Sequence, residues 1–195
     1  MNIESIVRSL FQLLALPLTC VLTQPAKADP GPLIAPIHTT PAGQTYGRWA
    51  AAWSQWALSV PGAKNPLLDT TGQYCGERQI DEVWFLAGVL GSGQATRTCN
   101  IPAGKSLFFP LINNTYAAFL SDPPEQRTEE FVRSQAECPP PVQITVSIDR
   151  FKVPQPQRFF TGPSGSLSPI FNVQLPPHSL LEFLGSPMKR YRNYS

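Results

Sequence analysis

Charged residues are scarce in this 195-residue chain, at 14% against roughly 25% in ordinary domains. The formal net charge is only +2, and the one cluster of basic residues lies at 189–192. Nucleic-acid binding requires clustered Lys and Arg that displace counterions from phosphates, so this composition argues against a nucleic-acid partner. It argues equally against binding to an anionic membrane surface.

Histidine is also rare, with only His38 and His178 in the whole chain. Metal sites combine several His, Cys, Asp or Glu ligands, so neither a metal site nor a cofactor is predicted. The sequence lacks a Gly-x-Ser-x-Gly nucleophile motif, a phosphate-binding loop and a dinucleotide fingerprint. Residues 67–72 resemble the Asp-Thr-Gly loop of aspartic proteases, but an extra residue spoils the turn and no second copy exists.

No apolar run reaches the roughly 20 residues that a membrane-spanning helix requires. The uncharged run 10–22 follows Arg8 and precedes the sequence Ala-Lys-Ala at 26–28. This order is typical of a secretory signal peptide, cleaved here after residue 28. We therefore expect a secreted or periplasmic protein whose mature chain has no membrane span. The alternatives are an uncleaved anchor and lipidation of Cys20.

Proline is abundant, with 22 residues spread along the chain, and it interrupts both helices and sheet ladders. We therefore expect short elements joined by many turns, in one β-rich domain over 45–184. A proline-rich, flexible lead-in (29–44) precedes this domain, and a tail (185–195) follows it. The predicted fold is mainly β with a minority of helix. It is an antiparallel β-sandwich, similar to a jelly roll, with an N-terminal amphipathic helix packed on it.

Several stretches are predicted as strands because they are continuously apolar or alternate between apolar and polar residues. They are 82–88, 95–99, 106–112, 142–148, 151–153, 158–161 and 170–175. The first two form a predicted hairpin with its tip at 91–93. A second helix is predicted from the cap Asp122 to Cys138.

The clearest helix is predicted over 45–59, where three tryptophans recur at spacings of four and three and so share one face. Core packing of this aromatic face is one explanation of the pattern. Stacking on sugar rings, or contact with a partner, is the other. The candidate ligand contacts are the aromatic and basic residues of this region and of the segment before the first cysteine: Arg48, Trp49, Trp53, Trp56 and Tyr74.

Acidic residues near aromatic side chains are the candidates for catalysis, namely Asp69, Glu77 and Glu82. Glycoside hydrolysis would require two carboxyl groups at a defined separation, one of them with a pKa raised by burial. Ordinary surface charges in loops explain the same residues, so no catalytic residue is assigned.

Three cysteines follow the predicted signal: Cys75, Cys99 and Cys138. In an oxidising compartment one disulfide is expected. Because Cys75 and Cys99 flank the predicted hairpin, we predict that they pair. Closing a loop of this length stabilises a fold by about 3–4 kcal/mol on the chain-entropy model. Cys138 is then expected to be a buried thiol.

Several motifs stand close together between residues 46 and 110. They read Tyr46-Gly-Arg-Trp-Ala-Ala-Ala-Trp53, Asn65-Pro-Leu-Leu-Asp-Thr-Thr-Gly-Gln-Tyr-Cys75, Val83-Trp-Phe-Leu-Ala-Gly88, Thr96-Arg-Thr-Cys99 and Ile101-Pro-Ala-Gly-Lys-Ser-Leu-Phe-Phe-Pro110. Together they resemble a family of exported bacterial proteins with no established activity, over about residues 45–182. The resemblance implies a bacterial, β-rich protein with a signal peptide.

This chain departs from the family in two places. Family members carry a second cysteine pair, with one partner shortly after the Phe-Phe-Pro strand, where this chain has Asn113-Asn114-Thr115. They also continue into a further β segment that 185–195 does not resemble. The resemblance therefore implies an unpaired Cys138 and a truncated or diverged C-terminus.

The sequence as a whole favours a non-catalytic exported module that binds an extracellular glycan or a cell-envelope component. A secreted hydrolase that uses the acidic residues is one alternative. A structural or degenerate envelope protein is the other, and the oligomeric state is not predicted.

Overall fold

The computed structural model describes residues 33–79, 82–91, 93–136, 143–159 and 167–184. The predicted signal peptide, residues 29–32 of the lead-in, Cys138 and the predicted tail lie outside these ranges. The chain divides into two units, Met1–Gly31 and Pro32–Ser195, and every described residue belongs to the second.

The described elements are short, apart from the first helix. The α-helices are α1 (Tyr46–Ser59), α2 (Glu129–Gln135) and α3 (Leu180–Phe183). The strands are β1 (Val83–Phe85), β2 (Ser106–Phe108), β3 (Ser147–Ile148) and β4 (Phe151–Lys152). Single turns of 3₁₀ helix lie at Pro41–Gly43, Gly62–Lys64, Pro124–Arg127 and Pro156–Phe159.

The predicted mainly β fold is wrong, because helix occupies 29% and strand 9% of the described residues. Within these ranges only two small sheets form, and they do not close into a sandwich. β1 pairs with β2 in parallel, and β3 pairs with β4 as an antiparallel hairpin. The predicted strands at 95–99 and 170–175 join neither sheet, and at 156–159 a 3₁₀ turn replaces the start of the strand predicted there.

Helix α1 begins and ends as local chemistry requires. The Thr45 hydroxyl accepts a hydrogen bond from the Arg48 N–H and so caps the first turn. At the other end Pro61 disfavours helical geometry at Val60. The side-chain amide of Asn65 then donates to the carbonyls of Ala57 and Val60, which have no partner within the helix.

The parallel pair of β1 and β2 ends at a proline. In a parallel ladder the N–H of residue 110 would donate to the carbonyl of Leu86, since Leu86 N–H already donates to Phe108. Pro110 has no N–H. The Trp53 indole N–H donates to the Leu86 carbonyl instead, at 2.9 Å, so a side chain of α1 supplies the hydrogen bond that Pro110 cannot.

The second predicted helix is shorter than expected. Thr128, not Asp122, caps α2 by accepting from the Phe131 N–H, and a 3₁₀ turn precedes it. The Asp122 carboxylate accepts from the Phe119 N–H and closes a separate turn. Asp122 therefore ends one turn where the sequence predicted that it would start a helix.

Candidate functional site

The three tryptophans of α1 form the core together with β1 and β2. Their exposed fractions are 6%, 3% and 4% for Trp49, Trp53 and Trp56. Phe85 lies at the centre of the cluster, with ring centroids 6.2 Å from Trp49 and 5.5 Å from Trp56. Phe108 packs on Phe85 from β2.

Each indole N–H of this cluster donates to a backbone carbonyl. Trp49 donates to Pro41, Trp53 to Leu86 and Trp56 to Glu77, at 2.8–2.9 Å. A buried indole needs such a partner. These rings therefore tie the lead-in, β1 and the loop after α1 to one helix face, and they leave a ligand little surface on which to stack.

The Asp69 carboxylate holds together the loop that contains it. One oxygen accepts from the N–H and the hydroxyl of Thr71, and the other accepts from the N–H groups of Gly72 and Tyr74, at 2.7–3.1 Å. Four donors fill most of the acceptor positions that a carboxylate offers. Asp69 therefore stabilises the conformation of this loop.

The pKa of Asp69 reflects two opposing effects. Burial of the carboxyl raises its pKa, while the hydrogen bonds from Tyr74, Thr71 and Gly72 lower it. The hydrogen bonds prevail, and the pKa lies below its ordinary value of 3.8. A general acid for glycoside hydrolysis needs the opposite shift, so Asp69 is unsuited to that role.

Gly72 permits the same loop to approach its neighbour. Its φ is +98°, and a Cβ at this position would lie 2.3 Å from the Thr98 carbonyl oxygen and 2.7 Å from the Thr98 nitrogen. Next to it, the Thr98 N–H donates to the Thr71 carbonyl. The predicted disulfide between Cys75 and Cys99 is confirmed and fastens the same two segments, with Cα atoms 5.7 Å apart.

Arg97 joins these segments to the end of β1. Its guanidinium donates to the backbone carbonyls of Asp69, Ala87 and Gly88, at 2.6–3.0 Å. Gln79 acts similarly from the other side, because its amide both accepts from and donates to the backbone of Phe85. Residues 65–79 and 94–99 thus form a polar, disulfide-linked knot around β1.

The other candidate residues are dispersed over this region. Arg48 and Glu82 are exposed, whereas Tyr74 and Glu77 are half-buried. Glu77 lies 3.9 Å from the Lys64 ammonium group, an exposed pair that contributes little to stability. Ligand contacts by Arg48 and Tyr74 stay predictions.

Sequence reasoning missed three polar residues of the knot: Asn65, Arg97 and Gln79. Asn65 is 1% exposed, and its side chain makes three hydrogen bonds. Asn65 and Arg97 stand inside the motifs of the family resemblance, which was the available signal. In the structure both side chains form hydrogen bonds with backbone groups.

A wide concave surface is lined most continuously by residues 107–120 and 167–178, and Trp49 and Trp53 of α1 also contribute to it. Its volume is about 3320 Å³. We call its exposed aliphatic part the open apolar face, and define it by five residues that are 39–55% exposed: Leu107, Ile112, Leu120, Leu167 and Ile170. No comparable apolar patch was predicted, because exposure depends on which segments pack together.

Among the described residues, no group of three or more His, Cys, Asp or Glu side chains is placed to hold a metal ion. No helix in the described ranges has the length and apolarity to cross a membrane. In comparisons with known proteins, no family model, curated protein or solved structure matches the chain. The family resemblance therefore stays a prediction.

Proposed function

We propose that this chain is an exported, non-catalytic module that binds an apolar cell-envelope component on the open apolar face. The observation that carries the proposal is the size of the concave surface together with the five exposed aliphatic residues that line it. Large exposed apolar surfaces mark interaction sites in soluble proteins. Export is proposed from the signal-like sequence at 10–28 alone.

An acyl chain suits this face better than a glycan does. The rings proposed to stack on sugars, Trp49, Trp53 and Trp56, are buried in the core. Aliphatic side chains instead offer area to methylene groups, each worth about 0.8 kcal/mol when buried. The volume of about 3320 Å³ exceeds the roughly 300–1,000 Å³ of small-molecule pockets, so an acyl chain fits within it.

The charges on this surface are of both signs, with Lys105, Arg127 and Arg133 as well as Glu130, Asp149 and Glu182, and the cations suit an anionic head group. Arg127 lines the concave surface, is exposed and forms no ion pair within the described ranges. Arg133 also lines it, but pairs with Glu129. Arg127 is therefore the side chain that we assign to the head group.

The state of Asp69 supports binding over catalysis. Its carboxylate is committed to the loop and its pKa is lowered, so it cannot supply a proton at neutral pH. The hydrolase alternative thereby loses its most buried candidate.

Titration with the fluorescent fatty acid cis-parinaric acid tests the proposal. We expect saturable binding to the wild-type protein, weakened about tenfold in Leu120→Lys and in Ile170→Lys, because each places a charge beside the acyl chain. Leu184→Lys is the matched control, since Leu184 is 52% exposed against 54% for Leu120 but lies off the concave surface.

Two outcomes contradict this function. One is the absence of saturable binding. The other is equal weakening by Leu184→Lys, which would mean that the probe adheres to any exposed apolar residue. Binding to a glycan array that survives Leu120→Lys would favour the glycan instead.

A further inference from the structure

In the described part of the chain, the two-stranded sheet of β1 and β2 has one edge at which the backbone groups of a strand residue have no hydrogen-bond partner. The ladder bonds run from Ser106 N–H to Glu82 and from Leu86 N–H to Phe108. Alternate residues of a parallel strand face the partner strand, so the N–H and C=O of Leu107 point to the other side. Within the described ranges those two groups form no hydrogen bond.

The opposite edge of the sheet is treated differently. There the outward N–H and C=O belong to Phe85, and the Gln79 amide satisfies both, at 2.8 and 2.9 Å. The side chain of Gln79 thus imitates a neighbouring strand. Among the described residues no such group satisfies Leu107, whose side chain is 50% exposed and lines the open apolar face.

Pro110 does not protect the open edge. Its position in the ladder places its nitrogen toward β1, where Trp53 replaces the missing donor. Phe109, like Leu107, has its N–H on the outer side and forms no hydrogen bond in the described part of the chain. The outer edge therefore keeps its backbone groups along Leu107 and Phe109.

We infer that this edge pairs with the same edge of a second copy of the chain, as an antiparallel dimer about a twofold axis at Leu107. A twofold axis lets one strand be its own partner, so that Leu107 lies opposite Leu107 and their backbone groups bond reciprocally. The two sheets then join into one sheet of four strands.

The low net charge and the apolar surface both favour a second copy of the chain as the partner of this edge. A net charge of +2 on 195 residues adds little repulsion between copies. The pair at the axis is apolar, which stabilises cross-strand contacts. The Leu107 side chain, which is 50% exposed, also loses contact with water when the copies join. This inference goes beyond the proposed function and does not depend on a ligand.

Sedimentation equilibrium of the ligand-free protein tests the dimer, across a roughly hundredfold dilution series. We expect a monomer–dimer equilibrium for the wild type. Leu107→Lys is expected to raise the dissociation constant at least about tenfold, since it places two like charges directly opposite each other. Leu120→Lys is the matched control: Leu120 is 54% exposed on the same face but lies off the edge, and its dimer is expected to persist.

A mixing experiment separates loss of pairing from loss of folding. Leu107→Lys and Leu107→Glu are each expected to be monomeric alone and to form a heterodimer when mixed. A wild-type protein that is monomeric throughout the series overturns the inference, as does a dimer that survives Leu107→Lys. A mixture of the two variants that stays monomeric also overturns it. Because no fatty acid is present, these outcomes are independent of those that test the proposed function.

Discussion

Gly72 is the position where one added methyl group should reveal how the polar knot is built. Its φ of +98° lies in the region that only glycine adopts readily. A Cβ there would meet backbone atoms of Thr98 at 2.3–2.9 Å. Thr98 cannot retreat easily, because its N–H is bonded to Thr71 and its neighbour Cys99 is fastened by the disulfide.

Two costs add in Gly72→Ala. A non-glycine residue in the left-handed region costs about 1–2 kcal/mol. Forcing apart two packed segments costs about 1–3 kcal/mol more. Gly104→Ala isolates the first cost, since Gly104 has a φ of +84° but nothing within 4 Å of the added Cβ. We therefore expect Gly72→Ala to lower the free energy of unfolding by about 2–5 kcal/mol, against about 1–2 kcal/mol for the control.

Urea unfolding followed by tryptophan fluorescence measures both variants, because the buried rings of α1 report directly on the core. The midpoint should fall much further for Gly72→Ala than for Gly104→Ala, with similar slopes. Equal losses in the two variants would refute the close approach of the loop to Thr98.

Four further predictions concern the knot and the N-terminus. Arg97→Lys removes a planar donor group that three carbonyls share and should cost about 2–3 kcal/mol in the same titration; an unchanged midpoint would contradict this role. The pKa of Asp69 is lower in the folded chain than in the unfolded chain. The ionised carboxylate therefore adds its full contribution to the free energy of unfolding above the unfolded-state pKa, and this contribution is lost as pH falls through the folded-state pKa. Asp69→Asn should therefore be less stable than the wild type at neutral pH, and its urea midpoint should fall less steeply as the pH is lowered. A variant whose midpoint changes with pH as steeply as that of the wild type would argue against this role. Replacing Cys75 and Cys99 together by Ser should cost about 3–4 kcal/mol and abolish the effect of dithiothreitol on the midpoint; a variant as stable as the oxidised wild type would contradict this. Protein recovered after export should begin at Asp29 by mass spectrometry, whereas an intact N-terminal Met1 would refute the predicted cleavage.

Local signals predicted the first helix well. The cap Thr45, the spacing of the tryptophans and the Pro61 stop all act within a few residues, and α1 runs from Tyr46 to Ser59. The disulfide was also predicted correctly, although the hairpin that its two cysteines were expected to flank does not form within the described residues.

The sheet could not be predicted in the same way. Alternation at 170–175 correctly indicates an extended segment whose residues are alternately exposed and half-buried. Whether such a segment joins a ladder depends on a distant partner with free N–H groups, and prolines such as Pro110 remove them. The antiparallel sandwich was inferred from alternation without that condition.

The candidate site shows a similar limit. The tryptophan stripe and Asp69 were named as candidates from the sequence, but sequence alone could not show that the three indole rings and the carboxylate are buried. Burial and four hydrogen-bond donors decide that Asp69 is structural. The open apolar face arises from segments far apart in sequence, so no local motif marks it.

Mapping of a bound fatty acid by NMR tests the proposed function most directly. Palmitate would be titrated into ¹⁵N-labelled protein, and the backbone amide shifts followed residue by residue. We predict perturbations along 107–120 and 167–178, with the knot around Asp69 unaffected. Perturbations confined to Arg48 and Tyr74, or none at saturating palmitate, would contradict a binding surface on the open apolar face.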